Sequence, residues 1–159
     1  MAQGETVIEH PNRDKPASQT TRVLVVALLL ISAALLAIVT IGGWSKIQGA
    51  KPVQIAYVLL YLVLAFYIAR WRSGLLPVAA AVAIVLLLFA AISGPEWFDR
   101  NGEGYSDPAL DAGVIGVLTL LLVPLQVLLI VFAAQGFTQR WSVEIERAAH
   151  GAPAGARLA

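Results

Sequence analysis

Long runs without a single charged side chain alternate with short polar ones along this chain. Residues 23–43, 53–69, 75–93 and 112–135 contain no Asp, Glu, Lys, Arg or His. Runs of 17 to 24 residues, at about 1.5 Å of helix rise each, cover a hydrocarbon core of about 30 Å. In lipid the backbone must satisfy its own hydrogen bonds, so such runs cross as helices. The pattern predicts an all-α integral membrane protein, an antiparallel bundle of four transmembrane helices with spans at 22–43, 53–70, 75–93 and 112–136. Trp44, Trp71, Trp97 and Trp141 follow the four runs within a few residues, where indole rings favour the headgroup level.

The polar segments orient these spans. With the N-terminus in the cytoplasm, the inner segments hold Arg13, Lys15, Arg22, Arg70, Arg72, Arg140, Arg147 and Arg157, and the outer ones only Lys46, Lys51 and Arg100. That asymmetry favours both termini inside. The first run is too long for the apolar region of a signal peptide and is read as an uncleaved span.

Residues 1–21 lack any apolar period and are expected to be a disordered cytoplasmic tail. After the membrane domain of 22–136, Phe137, Trp141, Ile145 and Ala148 recur at helical spacing. This predicts that helix 4 continues onto the membrane interface before a disordered end, together filling 137–159. Trp71-Arg72-Ser73-Gly74, with Pro77 close behind, predicts a tight turn between helices 2 and 3. Only the third connection, 94–111, is long.

Composition narrows the chemistry. The 159 residues include no cysteine, which removes disulfides, thiolate metal sites and cysteine nucleophiles. Both histidines, His10 and His150, lie in the tails, so no span offers histidine ligands to a haem. The charge-free runs inside the spans also lack the acidic, basic and histidine groups that proton relays and ion coupling normally need. No cofactor is expected. A basic patch for nucleic acid is absent, and no internal repeat suggests an inverted-repeat transporter. Eight arginines against three lysines, with abundant alanine, leucine and valine, point to a bacterium with a GC-rich genome and hence to its plasma membrane.

Inside the spans the informative residues are small or polar. Ala33 and Ala37, Ala65 and Ala69, Ala79 and Ala83, and Gly113 with Gly116 would let helix backbones approach closely. Gly116, Thr119, Val123, Gln126, Ile130 and Ala133 fall on one face of helix 4, and Pro124 interrupts its hydrogen-bond ladder. Gln54, Tyr57 and Tyr61 form a stripe on helix 2. Tyr61 and Gln126 could bond if helices 2 and 4 meet. These groups either tie the helices together or, as Tyr57, Tyr61, Thr119, Pro124 and Gln126, line a polar intramembrane site for a lipid, quinone or other amphiphile.

The outer loop 94–111 carries Glu96, Asp99, Glu103, Asp107 and Asp111 against Arg100 alone. Asp99, Asn101, Glu103, Gly104 and Asp107 stand at positions 1, 3, 5, 6 and 9 of a calcium loop, and the run from Asp99 to Tyr105 resembles the first half of EF-hand and dockerin-type loops. The resemblance implies oxygen ligation of calcium, with the Tyr105 backbone carbonyl contributing. Leu110 occupies position 12, where a carboxylate belongs, and Asp111 comes one place late. The other reading is a solvated acidic turn.

These features favour a non-enzymatic membrane protein, an accessory, structural or assembly component packed against other membrane subunits in the bilayer. One alternative is a lipid or small-molecule binding or transport protein acting as a homo-oligomer. Another is a membrane-embedded enzyme using Asp99, Glu103 and Asp107.

Overall fold

The computed structural model describes residues 6–47, 49–101 and 109–148. Its elements, in order, are strand β1 (Thr6–Glu9), helix α1 (Pro16–Gly42), helix α2 (Lys51–Ala69), a 3-10 turn (Ser73–Leu75), helix α3 (Leu76–Glu96), a second 3-10 turn (Trp97–Asn101), helix α4 (Ala112–Thr138) and strand β2 (Ile145–Ala148). All four helices are long and apolar enough to cross a membrane. The first three carry a proline in their first turn, where the missing N–H costs nothing. Helix α4 starts differently: the Asp111 carboxylate accepts from the backbone N–H of Gly113 at 2.8 Å and of Val114 at 3.4 Å, which satisfies two orphan donors.

Helix α3 lies along α4, and α1 packs on both α2 and α4, whereas α2 and α3 hardly touch. Small residues allow the close approaches. A side chain at Gly116 would meet the Phe98 ring at 3.1 Å and the Gly94 carbonyl at 3.2 Å, so α3 and α4 can be this close only because glycine is there. Ala33, Ala65, Ala79, Ala83 and Ala133 are buried. The small-residue stripes are therefore used largely within the chain.

Two ends of the molecule can be distinguished. The loop end holds the α1–α2 and α3–α4 connections, and the Leu110 N–H donates to the Gly42 carbonyl there. The terminal end holds both terminal segments and the α2–α3 turn. There Arg22 donates to the Ala69 carbonyl at 2.6 Å, and the Trp71 and Trp141 rings meet edge to face at 5.3 Å.

The terminal segments depart from the sequence reading. Residues 6–9, expected to be disordered, pair antiparallel with 145–148, Thr6 opposite Ala148 and Glu9 opposite Ile145. Residues 16–21, placed in the same tail, already belong to α1, because helix formation does not stop at the boundary of the apolar run. The expected continuation of α4 fails for a tertiary reason. Arg140 takes a left-handed backbone conformation (φ 50°) and turns the chain back, which brings the Trp141 ring against Gly136 and Leu76, where it is fully buried. A continued helix would carry that indole away from this groove. Helix α3 also runs past the predicted start of the loop, through Pro95 to Glu96, and the 3-10 turn extends it to Asn101.

The tryptophans are likewise not a uniform lipid-facing belt. Trp44 is 47 % exposed, but Trp97 and Trp141 are buried at opposite ends of the molecule.

Candidate functional site

The α2–α3 gap leads to a chamber at the loop end. A partly open cavity of about 310 Å³ is lined by residues of all four helices. Leu36 and Val39 of α1, Leu86 and Ala90 of α3, and Leu122 of α4 give it apolar walls. Trp97 and Arg100 stand at its loop end. Trp97 is held there because the backbone at Gly43 has no side chain; a Cβ at that position would lie 2.5 Å from the indole.

The chamber's polar groups are few. Gln54, Tyr57, Ser93 and Thr119 line it. The Thr119 hydroxyl donates to the Ile115 carbonyl one turn back at 2.8 Å, so its proton is committed. Thr40 lies 2.6 Å from the Leu36 carbonyl and 2.9 Å from the Gln54 side-chain oxygen; with one proton it donates to one of them at a time. The half-buried Tyr57 hydroxyl has no hydrogen-bond partner among the described residues, although its ring lies edge to face with Tyr61 at 6.0 Å. A ligand in the chamber would find that hydroxyl available.

Val53 and Tyr57 also line an open furrow of about 400 Å³ between α2 and α3. Ala56 and Leu60 of α2 and Ala81, Val82 and Val85 of α3 line it. A partly open pocket with polar groups thus adjoins a shallow apolar furrow at the helix surface.

The five residues read from the sequence as one polar site separate in three directions. Tyr57 and Thr119 line the chamber. Tyr61 and Gln126 belong to a closed network: the Tyr61 hydroxyl donates to Gln126 Oε1 at 2.6 Å, and Gln126 Nε2 donates to the Ser32 hydroxyl at 3.0 Å. All three are fully buried. Pro124 is exposed on the outer face of α4 and faces neither. Ser32 was not singled out from the sequence, because a lone serine in an apolar run satisfies itself equally well on its own helix. Leu122 and Leu129 were missed on the buried face of α4 because leucine is the commonest residue around it.

The calcium reading of the loop falls mostly outside the described residues. Glu103, Tyr105 and Asp107 lie there, as does the side chain of Asn101. Asp99 is exposed on the 3-10 turn, and Asp111 caps α4. Among the described residues no three His, Asp or Glu side chains gather as a metal site.

No family model matches the chain, and no characterised protein or solved structure aligns with it significantly.

Proposed function

We propose that this is a multi-pass membrane protein that binds a lipid-like amphiphile between α2 and α3. The observation that carries this is the adjacency of the chamber to the furrow, which share Val53 and Tyr57 in their linings. Ligand sites are concave, mostly apolar and set with a few convergent polar groups, commonly within about 300–1,000 Å³; the chamber, at about 310 Å³, has that character. A soluble metabolite would need more polar partners than Gln54, Tyr57, Ser93 and Arg100. An amphiphile can leave its chain in the furrow and enter sideways from the bilayer.

The distribution of arginine supports a topology with both termini in the cytoplasm, which sets the chamber toward the outer leaflet of a bacterial plasma membrane. The accessory-subunit reading drew on small-residue stripes, and the contacts those residues make within the chain supply another use for them. The amphiphile reading has a cavity of its own to rest on.

Gentle detergent extraction of a tagged copy from its host, followed by mass spectrometry, tests this. A lipid-like molecule should be recovered near one per chain, and Ser93→Phe, which fills the chamber, should lose it while the protein still elutes as a folded species. Recovery of a reproducible stoichiometric set of membrane subunits, with lipid content indifferent to Ser93→Phe, would overturn the proposal in favour of an accessory role.

A further inference from the structure

The rim of the chamber is more specific than its walls. Arg100 is the charged residue among those lining it. Its guanidinium stacks on the Trp97 ring, 4.6 Å from the centroid, and reaches the Lys46 carbonyl at 3.4 Å. In return the Lys46 ammonium donates to the Arg100 carbonyl. Trp97 is itself buried, so the guanidinium rests on a fixed platform. Lys51, one residue from the chamber-lining Ala50, lies over Trp44 at 4.6 Å. Of the three basic residues of the loop end, Arg100 is the one that lines the chamber.

The carboxylate on Arg100 is a loose one. Glu96 lies 3.6 Å away, and its side chain is 59 % exposed, against 26 % for Arg100. An exposed pair at that distance contributes little, and the glutamate can return to water at small cost. An anion arriving from inside the chamber would meet the guanidinium in a medium less polar than water, where a charge-assisted hydrogen bond is stronger. Arginine's planar fork suits a carboxylate or phosphate in particular. The Tyr57 hydroxyl, which has no hydrogen-bond partner among the described residues, adds a neutral donor to the chamber.

We propose that the amphiphile bound here has an anionic head, a carboxylate or phosphate held by Arg100, with a single hydrocarbon chain leaving along the furrow between α2 and α3. This rests on the amphiphile reading and assigns its chemical class. One chain is specified because the furrow is a single groove, and the chamber's volume stands at the lower end of the range for ligand sites. A neutral acceptor such as a quinone could take a single hydrogen bond from Arg100 but not the stronger, bidentate ionic pairing that a carboxylate or phosphate makes.

The test uses the full chain in neutral maltoside micelles, with Trp97 as reporter. Three probes share one chain brominated a few carbons from its head, close to the Trp97 indole that it quenches on near contact: the free fatty acid, its methyl ester, and the phosphate monoester of the corresponding alcohol. The anionic probes should quench saturably, with half-saturation about tenfold or more below that of the ester, a difference of about 1.4 kcal/mol. Trp97→Phe should remove most of the saturable signal. Arg100→Gln should abolish the anionic advantage, and Arg100→Lys should keep part of it. Saturation by the acid alone assigns a fatty-acid head, whereas equal or tighter binding of the phosphate assigns a lipid phosphate.

Equal quenching by acid and ester in the unmodified chain overturns the anionic head and leaves the amphiphile cleft standing. Absence of saturable quenching by any probe removes the cleft reading itself. Neither decision depends on a variant that must fold.

Discussion

Replacing the Tyr61 hydroxyl with hydrogen should show what the buried network contributes. Tyr61 comes from α2, Gln126 from α4 and Ser32 from α1, and all three are 0 % exposed. Since α2 and α4 do not pack directly, the 2.6 Å bond between Tyr61 and Gln126 spans the interior through two long side chains. Tyr61→Phe keeps the ring packing but leaves the Gln126 oxygen without its donor. A buried orphan of this kind costs about 1–3 kcal/mol in water-soluble proteins. Interhelical bonds in membranes average only about 0.6 kcal/mol and reach about 1.7, because the unfolded chain also finds partners in lipid. Full burial and short geometry place this bond near the upper membrane value, so about 1.5 kcal/mol is expected.

Gln126→Leu should cost a similar amount, since it orphans the Tyr61 hydroxyl in turn. The double variant removes both partners and should cost about 1.5 to 2 kcal/mol, well short of the sum of about 3. The resulting coupling of about 1 to 1.5 kcal/mol is measured by a double-mutant cycle. Reversible unfolding in mixed micelles with increasing dodecyl sulfate, followed by tryptophan fluorescence, supplies the free energies. Additivity to within about 0.5 kcal/mol would refute the bond as an energetic tie between α2 and α4.

Two non-glycine residues in left-handed conformation offer a second comparison. At the end of α2, the Trp71 N–H donates to the Ile68 carbonyl and the Arg72 N–H to the Tyr67 carbonyl, a Schellman arrangement in which glycine usually takes the position that Trp71 holds at φ 66°. Trp71→Gly and Trp71→Ala both lose the Arg22 and Trp141 contacts at 4.3 and 5.3 Å, but alanine also keeps the backbone strain. Alanine should therefore be less stable than glycine by about 1 kcal/mol in the same unfolding assay; equal stabilities would deny the strain. At Arg140, whose side chain is exposed, Arg140→Gly should raise stability by about 1 kcal/mol, because the Asn12 bond at 3.0 Å goes to the backbone carbonyl and survives. Topology is open to a direct check, since the chain has no cysteine. Gly49→Cys at the loop end should react with an impermeant thiol reagent in intact cells and Ser142→Cys only after lysis; the opposite pattern would invert the proposed orientation.

The sequence by itself determined four apolar helices and their approximate limits, because charge is excluded from any segment that must lie in hydrocarbon, and that rule is local. It also identified Tyr57, Tyr61, Thr119 and Gln126 as the informative polar residues, since a polar group in such a segment needs a reason to be there. Which of them share a site was not local. Helices α2 and α3 are joined by a short turn but fail to pack, and that gap separates Tyr57, beside open space, from Tyr61, only four residues away and sealed against Gln126. Tertiary contacts also decided the roles of the tryptophans. Trp97 could become the chamber's end wall because Gly43 makes room for it, and Trp141 leaves the helical path because the groove over Gly136 and Leu76 buries it completely. Helical spacing records which residues could share a face; whether a helix continues, or a gap stays open, depends on surfaces contributed by residues far along the chain.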